Sequence, residues 1–419
     1  MSSNLARLER RAVGRIAGPL FALALGCTRV SARELSFAEA RAAALRVSPE
    51  VELAEREVAV WTSDVTSAEA FANPNFSVTS ATQSAHLATS LSLPIRLFGQ
   101  RGASIDAARA DVAVAALDVG VVRREARWVA SLAYVDLWEA QARAGWLASA
   151  AEDSRRLAEI AAEKFAAGSG ARLDQLRTSA DRARAAAESR AATQLVAAAA
   201  ARLAPTIGAA HDQPLRAAGA PGYAFDGADL AQLEARLPEH PRLRRARAEV
   251  SASELHVADE QRKRWPIVTP QIGLSQFDPT VPGTDLILGL AFELPILDRR
   301  QGAIERAEAE RAVATTAAEG GERRLRAELR DAYLRSASAR TEWRVLREEV
   351  LPSMEEAKAM TDEGYRAGYV DLLRVLDAQR ALLEARMAEV SALASWVRAL
   401  ADLEKASGID LRESAGHAP

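Results

Sequence analysis

Two spacings of apolar residues divide the chain. From Leu325 the positions Leu325, Leu329, Ala332, Ser336, Ala339, Trp343, Leu346 and Val350 step by four and three without a break, the heptad stripe of a long helix. A second series runs Leu373, Leu376, Arg380, Leu383, Met387, Val390, Ala394, Val397 and Ala401, with Arg380 its one misfit. Both seams hold many small residues, so the helices they predict can approach closely. A coiled coil and a plain amphipathic bundle fit this pattern equally. The other spacing is two. In residues 284–294, Leu286, Leu288, Leu290, Phe292 and Leu294 alternate with Asp285, Ile287, Gly289, Ala291 and Glu293. Such a run has the length of a tilted membrane-spanning strand. Leu87, Thr89, Leu91 and Leu93 repeat the pattern less cleanly, with partner strands expected at 75–81 and 267–276 and polar or Pro/Gly turns at 82–86 and 277–283. A soluble hairpin laid on helices is the alternative. Four strands cannot close a barrel, and lipid tolerates no open edge; three chains would supply twelve.

Proline placement sets the helix lengths. None of the 16 prolines lies between Pro94 and Pro205, between Pro295 and Pro352, or between Pro352 and Pro419. Because proline breaks helix interiors, these stretches permit very long helices. Residues 102–166 can form one helix of about 100 Å at about 1.5 Å per residue. That is longer than globular helices run, and implies a coiled coil or a helical tube.

The two halves of the chain repeat. Leu93-Pro94-Ile95 recurs as Leu294-Pro295-Ile296, and Gly102-Ala103 recurs 200 residues on as Gly302-Ala303. At the same offset Glu163 meets Glu363, Phe165 meets Tyr365, Gly168 meets Gly368, and Leu173 and Leu176 meet Leu373 and Leu376. Ser48-Pro49 at a helix start is matched by His240-Pro241. So long a period indicates duplication of a whole unit, not a solenoid. Each unit reads helix, two strands, long helix, glycine-marked hairpin, helix. The expected division is a signal peptide at 1–32, a first repeat at 33–219 with its tip at about 168–172, a second repeat at 220–411 with its tip at about 365–371, and a disordered tail at 412–419.

The N-terminus reads as an export signal. Arg7, Arg10, Arg11 and Arg15 precede an apolar run, 17–26, that is too short to cross a bilayer, and Val30-Ser31-Ala32 offers cleavage after Ala32. A competing reading makes Cys27, preceded by Ala24-Leu25-Gly26, a lipidation site. No later stretch is apolar for long enough to form a transmembrane helix.

Composition narrows the chemistry. Charged residues make up 26% of the 419, aromatics 5%, and the net charge is −3. This is the composition of long helices, and the charge argues against a nucleic-acid partner. The single cysteine excludes a disulfide framework and Cys-rich metal or iron–sulfur sites. Gly168-Ser169-Gly170 begins a G-x-G, but Leu173 holds the third glycine's place. His256 and Glu260 share a helix face without a third ligand, so a solvated pair is the expectation. His86 stands alone in an expected outer loop. Trp61, Trp128, Trp138, Trp146, Trp343 and Trp396 are expected to pack on helices, and Trp265 to anchor an interface. No catalytic residue, cofactor or metal site is expected; the chain does not read as an enzyme.

Taken together, these features resemble the outer-membrane efflux channels of Gram-negative bacteria, the TolC-like family, over residues 36–411. The sharpest matches are Lys164-Phe165-Ala166-Ala167-Gly168 with Leu173-Asp174, and Gly364-Tyr365-Arg366-Ala367-Gly368 with Val375-Leu376-Asp377-Ala378. Leu97-Phe98-Gly99-Gln100-Arg101-Gly102-Ala103 and the segment from Leu294 to Gly302 look most like the heavy-metal cation branch. The resemblance implies a fold that is mainly α with membrane β. A long antiparallel coiled-coil tube would lie in the periplasm, with four strands per chain in a 12-stranded barrel of a homotrimer set in outer-membrane lipid. It further implies a passive conduit in a tripartite efflux system. The partners would be a periplasmic adaptor of the membrane fusion type at the hairpin tips Gly168, Gly170 and Gly368, and through it an inner-membrane pump of RND type. Asp174 and Tyr365 fall where the family has two members of a polar gate network, and its basic member falls on Val370. Asp377 matches an acidic ring position whose companion here is Arg374, a mixed ring in place of a doubly acidic one. The plain readings are that Asp174 caps its helix, that Arg374 and Asp377 form a solvated ion pair, and that Tyr365 is packed at the tip. Type I protein secretion uses the same architecture. A periplasmic adaptor or a coiled-coil scaffold would explain less, since neither accounts for paired strands ahead of each long helix.

Overall fold

In the computed structural model, residues 33–80, 87–210, 213–224, 229–278 and 281–413 are described. The expected signal peptide, Cys27, the first strand tip with His86, and residues 279–280 of the second tip lie outside these residues. The rest of that second tip, expected as a turn, belongs to the strands that end at Asp278 and begin at Val281. The first half runs β1 (Arg33–Leu35), α1 (Phe37–Val47), α2 (Pro49–Glu69), β2 (Asn75–Thr79), β3 (Leu87–Ser92), α3 (Gln100–Ala166), α4 (Arg172–Thr206) and β4 (Leu215–Ala217). The second runs β5 (Tyr223–Ala224), α5 (Leu230–Arg236), α6 (Pro241–Lys263), β6 (Val268–Asp278), β7 (Val281–Phe292) and α7 (Gln301–Val345). It ends with α8 (Leu351–Arg366), α9 (Leu372–Ser407) and β8 (Arg412–Glu413). Arg412 and Glu413, assigned by the sequence to a tail, pair with Ala224 and Tyr223.

The repeat is physical at its helix starts. Ser48 caps α2 by accepting the Val51 N–H at 3.3 Å, and His240 caps α6 by accepting the Arg242 N–H on Nδ1 at 3.1 Å; a proline follows each cap. Each long helix opens on a glutamine whose side-chain oxygen takes a backbone N–H two residues earlier, from Phe98 to Gln100 at 2.9 Å and from Arg299 to Gln301 at 2.8 Å. α3 is unbroken for 67 residues, about 100 Å at the usual rise. The equivalent span in the second half is interrupted by a π-helical turn, Leu346–Val350, just ahead of Pro352. A mid-helix proline lacks an N–H and crowds the carbonyl four residues back, and the wider turn relieves both.

The heptad stripe on α7 is buried at Leu325, Leu329, Ala332, Ser336 and Trp343. The second stripe needs one correction. Leu373 is 48% exposed, while Leu372, Leu376, Val390, Ala394, Val397 and Ala401 are buried, so the seam begins at Leu372 and Arg380 projects outward to Asp181. Trp61 is also exposed, whereas Trp343 and Trp396 stack 5.0 Å apart inside the bundle.

The main core lies midway along the helices, where α1, α3, α4, α7 and α9 meet. A short parallel ladder joins β1 to β4 there, and the Ala217 N–H reaches Gln141 Oε1 on α3 at 3.1 Å. Buried Arg41 gives Glu404 a 2.5 Å charge-assisted bond and lies over the rings of Phe37 and Tyr223. Burial pushes the Glu404 carboxyl above its ordinary range against the pull of Arg41, and burial also raises the Tyr223 phenol. Buried His240 is depressed for the same reason. Its Nδ1 already accepts an N–H and its Nε2 faces the Lys405 carbonyl at 3.0 Å, the neutral tautomer's arrangement.

Candidate functional site

Two ends of the molecule carry the expected chemistry. At one end is the four-stranded antiparallel sheet, ordered β2-β3-β6-β7, in which β3 and β6 join the two halves of the chain. Its register sorts the side chains by face. Phe76 pairs with Leu91, Leu91 with Ile272, and Ile272 with Leu288; Val78 pairs with Thr89, Thr89 with Leu274, and Leu274 with Leu286. Directly opposed residues share a face, so these positions make one apolar face across all four strands. The other face carries Ser77, Ser90, Gly273 and Ile287, and next to them Asn75, Ser92, Gln271 and Gly289. Neither face is covered within the chain: Leu288 is 73% exposed. β2 and β7 are edges without a further partner strand among the described residues. An exposed apolar sheet face of this extent marks a surface that is covered by lipid or by another chain, and open edges are not tolerated in lipid.

Gly273 and Gly289 show how tightly the polar face is filled. A methyl group at Gly273 would stand 2.6 Å from the Thr89 carbonyl oxygen, and one at Gly289 would stand 2.6 Å from Gln271 Nε2. Where β3 and β6 meet the helices, Phe98 stacks on Trp265 at 5.5 Å, and the Gln100 amide holds the carbonyls of Trp265 and Pro266 at 3.1 and 3.3 Å.

At the other end are the two hairpin tips. Gly168 and Gly368 both sit at positive φ, 72° and 82°, where the chain leaves one helix for the next. The tips close by reciprocal contacts. Gly170 lies so near the turn before it that a Cβ would be 2.9 Å from the Phe165 nitrogen and 3.0 Å from Lys164 Cβ. In the second tip the glycine has changed sides: a Cβ on Gly364 would meet Val370 Cγ2 at 2.6 Å. Each hairpin therefore has one glycine and one side chain at this closure, in opposite order.

The sequence-derived gate residues do not gather into one cluster. Asp174 lies in the first turn of α4, half-buried, but does not cap it; the cap position is Ala171, with no side-chain bond. Instead Asp371 caps α9 by accepting the Arg374 N–H at 3.0 Å. Arg374 and Asp377 are both exposed, and no ion pair joins them among the described residues. Val370 is spent on the Gly364 contact. Tyr365 packs on a small cluster of Leu157, Leu372, Val375 and Leu376. Its basic neighbour is one the sequence reading missed, Lys164 of the other hairpin, with Nζ 4.3 Å from the ring centre. A second bridge between hairpins runs from Arg380 to Asp181 at 3.0 Å, and Asp181 also accepts from the Ser154 hydroxyl at 3.1 Å. Only the alignment of the repeats, which sets Lys164 opposite Gly364, hinted at this asymmetry.

His256 and Glu260 are not a pair. His256 Nε2 meets Asp111 at 2.9 Å, while Glu260 holds Arg300 at 2.6 Å and Lys263 at 3.0 Å. No group of three or more metal-ligating side chains is found among the described residues, and no described helix is long and apolar enough to cross a membrane.

Residues 233–409 match the family described as outer membrane efflux protein. The cobalt-zinc-cadmium resistance protein CzcC of Cupriavidus metallidurans is 27% identical over 318 residues, 76% of each chain. A membrane protein from Pseudomonas aeruginosa superposes with a TM-score of 0.75 at 20% identity, covering 89% of this chain and 93% of that one. The outer membrane protein VceC from Vibrio cholerae gives 0.72 at 18% identity, covering 89% and 96%. The resemblance drawn from the sequence is borne out by these matches.

Proposed function

We infer that this chain, a relative of the outer membrane efflux proteins, is the outer-membrane conduit of a tripartite efflux system, working as a homotrimer. One observation carries the reading: a sheet with a continuous apolar face and two open edges stands at the end of helices about 100 Å long. Three copies would join β2 of one chain to β7 of the next, closing twelve strands with the apolar face toward lipid and the Ser/Gln/Gly face toward a lumen. The coiled hairpins would form the periplasmic tube. Its tips, around Gly168, Gly170 and Gly368, would be gripped by an adaptor that leads to an inner-membrane pump of RND type.

The residues serve passage and closure, not bond chemistry. Tyr365 and Asp174 would belong to the closure of the periplasmic end, with Lys164 taking the basic role that Val370 leaves empty. A trimer would present three Arg374 and three Asp377, a mixed ring at the narrowest point. The likeness to a cobalt-zinc-cadmium resistance protein supports divalent heavy-metal cations as cargo.

The test is to extract the protein from outer membranes, measure its detergent-corrected mass and record conductance in a planar bilayer. A trimer with small, steady conductance is expected, and Asp377→Ala should lower its preference for cations. A monomer or dimer without conductance would overturn the reading.

A further inference from the structure

Exposed apolar surface does not stop at the strands. Beyond β7 the chain exposes Leu294, Ile296 and Leu297, the last of them by 92%, and beyond β3 it exposes Leu97 and Phe98. There the chain changes character abruptly. Phe98 and Trp265 stay 41% and 44% exposed although stacked on each other and fixed by the Gln100 amide. A rigid aromatic step left open in this way suits the layer where hydrocarbon gives way to headgroups.

Behind that step lies a groove of about 640 Å³ between α3 and α6, with Gly102 and Ala103 on its floor and both Arg262 and Asp106 in its lining; Arg264 stands just outside it. A Cβ added at Gly99 or Gly102 would meet nothing within 4 Å, so the floor is open space. Arg262 and Arg264 flank Lys263 at the end of α6. Lys263 is tied to Asp259 and Glu260 at 2.6 and 3.0 Å, which leaves the carboxylates of that turn occupied. Neither Arg262 nor Arg264 has an ion pair or a side-chain hydrogen bond among the described residues, and Arg264 lies over the Trp265 ring at 6.0 Å. Two exposed guanidinium groups therefore outnumber the one carboxylate in the groove lining, Asp106, and no ion pair ties either of them to it among the described residues.

We propose that this groove is a binding site for an anionic glycerophospholipid of the membrane leaflet facing the helices. The phosphate would sit on Arg262 and Arg264, and the acyl chains would run along Leu97, Leu297 and the apolar sheet face. Guanidinium groups suit phosphate because they offer several donors in a fixed plane. Basic pockets between helices at a membrane surface attract anionic lipids for the same reason. A free phosphate ion would gain the charge contacts alone and leave the groove floor wet. The proposal rests on the outer-membrane reading.

Native mass spectrometry of the purified full-length protein, titrated with dioleoyl phosphatidylglycerol or dioleoyl phosphatidylcholine, tests it. Phosphatidylglycerol should bind in preference, by about five-fold or more for each arginine engaged. Arg262→Gln with Arg264→Gln should bring the two lipids level, and Arg262→Lys with Arg264→Lys should keep most of the preference. A large excess of inorganic phosphate should leave the lipid bound. Equal binding of both lipids by the wild type, an unchanged preference in the Gln pair, or displacement by inorganic phosphate would overturn the site. Conductance of the same preparation separates the failures: a conducting trimer without lipid preference sinks the site alone, and a non-conducting monomer sinks the outer-membrane reading with it.

Discussion

Lys164, near the tip of the first hairpin, holds its ammonium 4.3 Å from the centre of the Tyr365 ring, near the tip of the second. The contact ties the free ends of two hairpins through residues 201 positions apart. At a partly exposed site such a contact contributes about 0.5–1 kcal/mol. If the chain is the proposed conduit, Lys164→Gln or Tyr365→Leu should shift the closed-to-open ratio of the hairpin end by about two- to five-fold, read as longer or larger openings in a planar bilayer. Unchanged openings in both variants would remove this contact from the closure.

The reciprocal glycines make a second prediction. Gly170→Val forces a branched side chain to within about 3 Å of the Phe165 and Lys164 backbone, an overpacking of about 1–3 kcal/mol. The first tip should then open to trypsin at Lys164 and Arg172, while the second tip keeps its wild-type cleavage rate. Gly364→Val should do the reverse.

His240 gives the fold an acid sensitivity. Its folded-state pKa is depressed below the ordinary value of 6.5, first by burial, so the unfolded chain takes up the proton more readily. Stability from this group is complete above pH 6.5 and is lost as pH falls toward the depressed value. His240→Ser, which copies the Ser48 cap, should flatten the fall of the melting temperature between pH 7.5 and 5. A profile as steep as the wild type would place the sensitivity elsewhere.

Glu404 works with the opposite sign. Burial raises its folded-state pKa above 4.5, so its contribution is greatest below 4.5 and declines as pH rises through the folded value. Arg41 limits that decline. Arg41→Met strands a buried carboxylate and should cost about 3–5 kcal/mol near neutral pH, with most of the loss recovered by adding Glu404→Gln. Thermal melts of the two variants in detergent decide the matter.

The two sheet faces should differ sharply in their tolerance of charge. Leu288→Arg places a guanidinium on the apolar face and should cost about 2–4 kcal/mol in the bilayer, seen as a loss of protein from the outer-membrane fraction. Ser275→Arg, on the other face and opposite Asp285, should leave the yield near wild type and alter conductance instead.

Much of this architecture can be read from sequence because it is periodic. The two-residue alternation from Leu286 to Phe292 and the heptads of α7 survive into the structure, since each follows the period at which side chains return to one face of a strand or a helix. Leu294, expected in the same strand, lies beyond its end. Gly168 and Gly368 are legible because positive φ selects for glycine, while Gly170 and Gly364 answer to close approach across each tip. The seam of α9 was misjudged by one position at its start, where Leu372 and Leu373 are adjacent and only the hairpin partner decides which turns inward. The short ladders β1–β4 and β5–β8 carry too few residues to show a period. Lys164 against Tyr365 was hidden for another reason. It is a contact between helices far apart in the chain, whereas the family's pattern points to Val370, within Tyr365's own tip.

On the proposed outer-membrane reading, the β1–β4 ladder also sets the length of any leash between the N-terminus and the bilayer. It docks at the level of Gln141, about 60 Å down α3 from the base of the sheet at the usual helical rise. Spanning that depth takes at least about 17 fully extended residues. Cys27 stands only six residues before Arg33, a reach of about 20 Å. A fatty chain on Cys27 and an intact ladder therefore compete: the acyl group reaches the leaflet around the sheet only if β1 comes out of the core. Cleavage after Ala32 sets no such contest, and makes the first residue of the mature chain the first residue of its first strand.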